Sequence, residues 1–287
     1  MGDHGALALR SQHLTDPPRA DALPLEVEGV VVRFGGITAL NVATIEVGSG
    51  EIVGLIGPNG AGKTTLMNAI SGILRPDEGS VRLFGHEVAG RPPSERARYG
   101  VARSFQDASL FAGLTVTETV QVAMMRRERT LLLPAMVGAP WVRRAEKRNC
   151  QLALDIVDTF GLGPWKDALT SELSTGIRRI CDLAAQVATE PRLLLLDEPT
   201  AGVAQREAES FAPLVHRIQS ALNCSILVIE HDMPMLMGLC DRVYALDAGV
   251  VIAAGTPTEV RNDRTVIASY LGTNTTAISR SNQTITT

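Results

Sequence analysis

The 287-residue chain has no apolar run long enough to cross a bilayer. Its longest apolar stretch near the middle, LLLPAMVGAPWV at 131–142, holds two prolines and a glycine and falls well short of the roughly 20 residues that a spanning helix needs. The start, MGDHGALALRSQHLTDPP, lacks a basic segment followed by a sustained apolar core, so export is not expected and a cytosolic location is. Cysteine is scarce. Cys150, Cys181, Cys224 and Cys240 lie far apart, with neither a C-x-x-C pair nor a Cys/His metal spacing, so buried, reduced thiols are expected. Charge of one sign is also lacking: 27 basic residues against 31 acidic give a net charge of −4 and a pI near 5.8. That balance supplies no overall basic surface for nucleic acid. Internal repeats and sustained heptads are absent as well, which argues against solenoids and long coiled coils.

What is present is a hydrophobic fraction of 45%, enough to bury a core as one large α/β domain or two smaller lobes. Residues 1–24 are rich in Pro, Asp and Ala without a period, and the C-terminal GTNTTAISRSNQTITT is rich in Thr, Asn and Ser; both read as loosely ordered tails. LEVEGVVVRF alternates and is β-branched, and ATIEV follows it, which predicts an early antiparallel layer. From about 115 to 171 the pattern turns helical, as an inserted helical subdomain would. PRLLLLDEPT and CSILVIEHD then read as buried parallel strands, and RVYALDAGVVIAAG as a hairpin turning at Asp247-Ala248-Gly249.

The most informative stretch is GLIGPNGAGKTTLMNAISG at 54–72. It contains G-x-x-x-x-G-K-[ST] as Gly57, Pro58, Asn59, Gly60, Ala61, Gly62, Lys63 and Thr64, with Thr65 next. Glycines let successive backbone N–H groups turn inward around phosphate oxygens with no Cβ in the way. The apolar run before the loop has strand length and the segment after it has helical spacing. The loop is therefore predicted at a strand-to-helix turn, where a helix N-terminus attracts anions.

Carboxylates sit where the chemistry of such a loop needs them. Four leucines lead into Asp197 and Glu198; after a buried strand, one acid can hold Mg²⁺, often through water, while the next orients an attacking water. Asp197 is assigned to magnesium and Glu198 to the base. His231 ends LVIEH, and at the tip of a neighbouring strand its ring N–H could reach a γ-phosphate. Gln106 in VARSFQDASLF reads by itself as an ordinary glutamine.

In this order the residues resemble the ATP-binding subunits of ABC transporters, over about residues 25–272. The resemblance rests on Phe34 at the adenine-stacking position, the Walker A loop at 57–65, Gln106 of the Q-loop, LSTGIRR at the signature position, LLLLDEP as Walker B and His231 of the switch loop. RFGGITAL, VARSFQDASLFAGLTVTETV, IEHDM and AAGTPTEVRNDRTVIASYLG look most like the ATPases of branched-chain amino-acid importers. The resemblance implies a P-loop NTPase fold of ABC type, with a mixed sheet core, an antiparallel layer and a helical subdomain at about 107–180. It also implies ATP and Mg²⁺ as cofactors, with Thr64, Gln106 and Asp197 around the metal and Lys63, Glu198 and His231 acting on the nucleotide. Two such subunits would enclose ATP head to tail, each nucleotide lying against Ser174 and Gly176 of the other chain. The implied partners are two transmembrane permease subunits, a second ATP-binding subunit (self or sister) and, indirectly, a substrate-binding protein, at the cytoplasmic face of the membrane.

The sequence departs from the family pattern at Thr175 and Ile177, where the usual signature has Gly and Gln, and at Ala204, where Asp is common. Two readings stand: a site completed by this signature is altered or slow, or branched-chain-type members tolerate the change. Cargo also has alternatives, namely urea, lipid or an exported compound, or a soluble ABC function without transport. RRER at 126–129 and VRR at 142–144 are either solvated charge or contacts to anionic headgroups.

Overall fold

In LLLLD the side chains of successive residues point to opposite faces of a strand, so an all-apolar run demands cover on both sides. The computed structural model, which describes residues 22–104, 110–125, 140–201, 205–230 and 233–270, shows that cover. In strand β7 (Leu193–Asp197), Leu193 and Leu195 enter one hydrophobic cluster while Leu194 and Leu196 enter another. Strands β3 (Ile52–Ile56) and β8 (Ser225–Ile229) divide in the same way.

These strands belong to a six-stranded sheet in the order β10-β9-β3-β8-β7-β6, with β6 at Val101–Arg103, β9 at Arg242–Asp247 and β10 at Val250–Gly255. The pairs from β9 to β6 are parallel, and only β10 pairs antiparallel at the edge. A second, four-stranded antiparallel sheet runs β2-β1-β4-β5, from β1 (Leu25–Phe34), β2 (Ile37–Val47), β4 (Glu78–Leu83) and β5 (His86–Glu87). The predicted antiparallel layer is therefore a sheet of its own. Helix α1 (Lys63–Ser71) buries Leu66, Met67 and Ile70 in the cluster that holds Leu25 and Val27 of one sheet and Val53 and Leu55 of the other. The phosphate-loop helix is thus packed between the two sheets.

A short turn of helix, α2 (Pro93–Arg96), precedes β6. The helical segment comprises α3 (Val116–Met125), α4 (Pro140–Thr159) and α5 (Thr175–Ala188), which pack on one another. Its apolar residues Val116, Val120, Ile156 and Val157 join Leu194 and Leu196 of the sheet in one continuous cluster that also contains Cys181, Leu183 and Ala184 of α5. The expected boundary near residue 180 falls inside α5. Three cysteines are buried as expected, but Cys150 is exposed, because it lies on a side of α4 turned to solvent. Helices α6 (Gln205–Leu222), α7 (Met233–Leu239) and α8 (Pro257–Asn262) follow, with a last helical stretch at residues 264–270. No helix among the described residues is long and apolar enough to cross a membrane.

Candidate nucleotide site

Register places the chemistry on one edge of the sheet. Leu55 of β3 and Asp197 of β7 both pair with Ile229 of β8. The loop after β3, the acidic pair ending β7 and the segment after β8 therefore emerge side by side, at the carboxyl ends of parallel strands where open α/β sheets bind ligands.

The loop is held from several directions. A Cβ on Gly57 would collide with the Leu246 carbonyl, and one on Gly62 would lie 2.6 Å from the Ala39 carbonyl, so both positions need glycine for close approach of backbone. Gly62 is the N-cap of α1 at φ 104. The first bond of the helix runs from Leu66 N–H to Gly62 O at 2.9 Å, which leaves the N–H groups at 62–65 without intrahelical acceptors. No acidic residue occupies the first turn, so nothing there opposes an anion. Asn59, Gly60 and Thr64 are exposed, Thr65 is half-buried, and Pro58 and Ala61 are buried.

Lys63 is buried and folds back on the loop: Nζ donates to Gly57 O at 2.7 Å and Pro58 O at 3.1 Å. Burial pulls its pKa below the ordinary lysine value, while the charges of Glu198 and Asp197 act in the opposite sense. The ammonium is thus fixed within the field of both acids.

Asp197 is almost wholly buried and its Oδ2 accepts from Arg103 Nη2 at 2.8 Å. Its Oδ1, also buried, has no hydrogen-bond partner among the described residues. A buried carboxylate oxygen left over in this way fits a magnesium site, since Mg²⁺ is held by one or two carboxylates plus phosphate oxygens and water rather than by an all-protein cage. Glu198 has φ 49, a left-handed backbone that non-glycine residues adopt at a cost of order 1–3 kcal/mol. Its conformation is pinned by Glu198 N–H to Ile229 O at 2.9 Å and by Arg179 Nη1 donating to Glu198 O at 2.6 Å.

The remaining expected positions lie farther along the chain. Phe34 ends β1 with 52% of its surface open. Ser174 is the exposed N-cap of α5, its Oγ accepting from Ile177 N–H at 3.4 Å; Thr175 is exposed and Gly176 buried in the first turn. Gln106, His231 and Ala204 lie outside the described residues, as does RRER; the side chains at 142–144 are likewise not described.

Sequence reading missed several residues that build the site. Arg103 also donates to Asn68 Oδ1 at 2.8 Å and Ser71 Oγ at 2.7 Å, joining α1 to Asp197. Glu230 Oε1 accepts from Thr200 N–H at 2.8 Å and Thr200 Oγ1 at 2.6 Å, holding the turn after β7. Gly249, at the β9–β10 turn, donates to Ala61 O at 2.9 Å and accepts from Asn41 N–H at 2.8 Å. An arginine inside the short strand VAR was the one visible signal among these.

A sequence profile of the ABC transporter family matches residues 40–201, and one described as branched-chain amino acid ATP-binding cassette transporter matches residues 250–275. The chain is 39% identical to the high-affinity branched-chain amino acid transport ATP-binding protein LivG of Salmonella typhimurium, over 86% of this chain and 97% of the relative. It is 37% identical to the corresponding protein BraF of Pseudomonas aeruginosa over the same shares. A solved nucleotide-free ATP-binding cassette from an ABC transporter superimposes with a TM-score of 0.74 at 28% identity, covering 86% of this chain and 98% of that one. The ADP conformation of an ATP-binding cassette of an ABC transporter gives 0.73 at 29% identity, covering 87% and 99%.

Proposed function

The chain belongs to the ABC transporter family of ATP-binding cassettes, and on that premise we propose that it is the ATP-hydrolysing subunit of an importer for branched-chain or closely related amino acids. The observation that carries the catalytic half is the alignment of Lys63, Asp197 and Glu198 on one sheet edge. Support for the cargo comes from the C-terminal match at residues 250–275 and from the LivG and BraF relatives.

In this reading the cassette spans residues 25–272, and its residues act as follows. Phe34 offers its open ring to the adenine. The N–H groups at the start of α1 and the Lys63 ammonium bind and orient the phosphates. Thr64 and Asp197, with Gln106, hold magnesium; when bound with the nucleotide the ion neutralises phosphate charge. Glu198 accepts the proton of the attacking water, and His231 stabilises charge on the γ-phosphate. Ser174 and Gly176, at an exposed helix start, face the nucleotide of a second ATP-binding subunit, self or sister. Closure of that pair moves two permease subunits, which in turn receive cargo from a substrate-binding protein, with this chain peripheral at the cytoplasmic face.

The test is purification of the tagged chain from detergent-solubilised native membranes, followed by reconstitution of what comes with it into proteoliposomes containing ATP. Two multi-span subunits and ATP-dependent uptake of leucine, isoleucine or valine are expected. Recovery of the permeases with transport of urea, lipid or an exported compound instead would overturn the cargo, and recovery of no membrane subunit would overturn the transporter role.

A further inference from the structure

The C-terminal helical stretch, residues 264–270, is built to place one side chain. Asp263 caps it, its Oδ1 accepting from Thr265 N–H at 2.7 Å and Val266 N–H at 3.1 Å. Val266 is buried in the main cluster, and Tyr270, four residues on and so on the same helix face, packs partly buried against that cluster. From there the phenol reaches the nucleotide site: Gly57 N–H donates to Tyr270 Oη at 2.9 Å.

Gly57 is the residue whose carbonyl holds the Lys63 ammonium at 2.7 Å. Its two backbone polar groups are thus both engaged, the N–H by Tyr270 and the C=O by Lys63. With the Leu246 carbonyl blocking any Cβ, Gly57 is held on its N–H side by the C-terminal segment and on its C=O side by Lys63. Burial raises the pKa of the Tyr270 phenol above its ordinary value, while the hydrogen bond from Gly57 acts in the opposite sense. The other end of the loop is held by the β9–β10 turn, through Gly249 N–H to Ala61 O. Tyr270 lies outside the 40–201 region matched by the ABC transporter profile and inside the 250–275 segment.

We infer that Tyr270 is a positioning residue of the nucleotide site. Its hydroxyl fixes the Gly57 backbone from its N–H side and so restrains the carbonyl that anchors Lys63, so that docking of the C-terminal helical stretch sets nucleotide affinity. The inference rests on the proposed ATP site, deepens it with a regulatory contact, and involves no covalent step.

Tyr270→Phe removes one oxygen and keeps the ring. The full-length chain is titrated with ATP and with ADP, its ATPase rate is followed against ATP concentration, and thermal unfolding is measured without nucleotide. Loss of the neutral hydrogen bond to Gly57 predicts Kd and KM raised about fivefold. The kcat is expected to stay within about twofold, and the nucleotide-free Tm within about 2 °C. Unchanged Kd overturns the inference, whether or not Tm falls. A weaker Kd that comes with a nucleotide-free Tm lowered by more than about 5 °C also overturns it, by assigning the loss to looser packing. Failure of the unaltered chain to bind ATP would instead defeat the proposed function, and is read from the same titration.

Discussion

Arg103 and Asp197 form a buried ion pair, Nη2 to Oδ2 at 2.8 Å, across adjacent parallel strands. The guanidinium neutralises one oxygen of the carboxylate while its other nitrogen grips Asn68 and Ser71 of α1. The strand that carries the proposed metal acid and the helix that begins at the phosphate loop are therefore joined by one side chain.

Removing that side chain leaves the buried Asp197 carboxylate without its hydrogen-bonded counter-charge. Arg103→Met is expected to lower stability by about 3 kcal/mol, read as a shift in the urea midpoint at neutral pH. Ser71→Ala, which deletes only one of the acceptors, should cost about 1 kcal/mol. Equal effects of the two variants would mean that the ion pair contributes nothing beyond an ordinary hydrogen bond.

Binding and hydrolysis should separate between Lys63 and Glu198. Lys63→Met removes the charged donor and is expected to weaken ATP binding about 10-fold or more. Glu198→Gln retains the side-chain shape and should bind ATP while its turnover falls at least about 100-fold. Retained turnover in Glu198→Gln, measured as phosphate release under saturating ATP, would remove Glu198 from the role of base.

The cysteines give a prediction independent of the site. Burial pushes the Cys181, Cys224 and Cys240 thiols up to about 12, so they remain protonated as pH rises and yield thiolate only as it nears that value. Cys150 is exposed. At pH 8 a thiol reagent should therefore modify one cysteine per native chain quickly and the other three only after denaturation. Fast reaction of two or more would contradict the packing around α5, β8 or α7.

Pattern and spacing alone determined a good deal. The phosphate loop and its flanking strand and helix were legible in GLIGPNGAGKTTLMNAIS, because glycine spacing and apolar periodicity are local properties. The doubly buried strands were legible in LLLLD and SILVI, because a run without polar alternation has to be covered on both faces. The place of Asp197 and Glu198 at the carboxyl end of a buried strand was legible from the same run. The hairpin at Asp247-Ala248-Gly249 was readable from turn chemistry, but its second use was not.

Only tertiary structure decided what meets what. Nothing in the sequence around Arg103 points to a residue 94 positions away. Nor does anything near Tyr270 point 213 positions back to Gly57, or anything near Gly249 to Ala61. The Arg103 and Gly249 contacts exist because β6 pairs with β7 and β9 with β3, and the Tyr270 contact because the last helical stretch packs Val266 and Tyr270 on the main cluster. Both are set by packing of whole faces rather than by any local signal. The exposure of Cys150 was settled in the same way, by which face of α4 the core took. Local chemistry thus pointed to the groups proposed to handle phosphate, while the long-range packing of strands and helices decided which other groups lie against them.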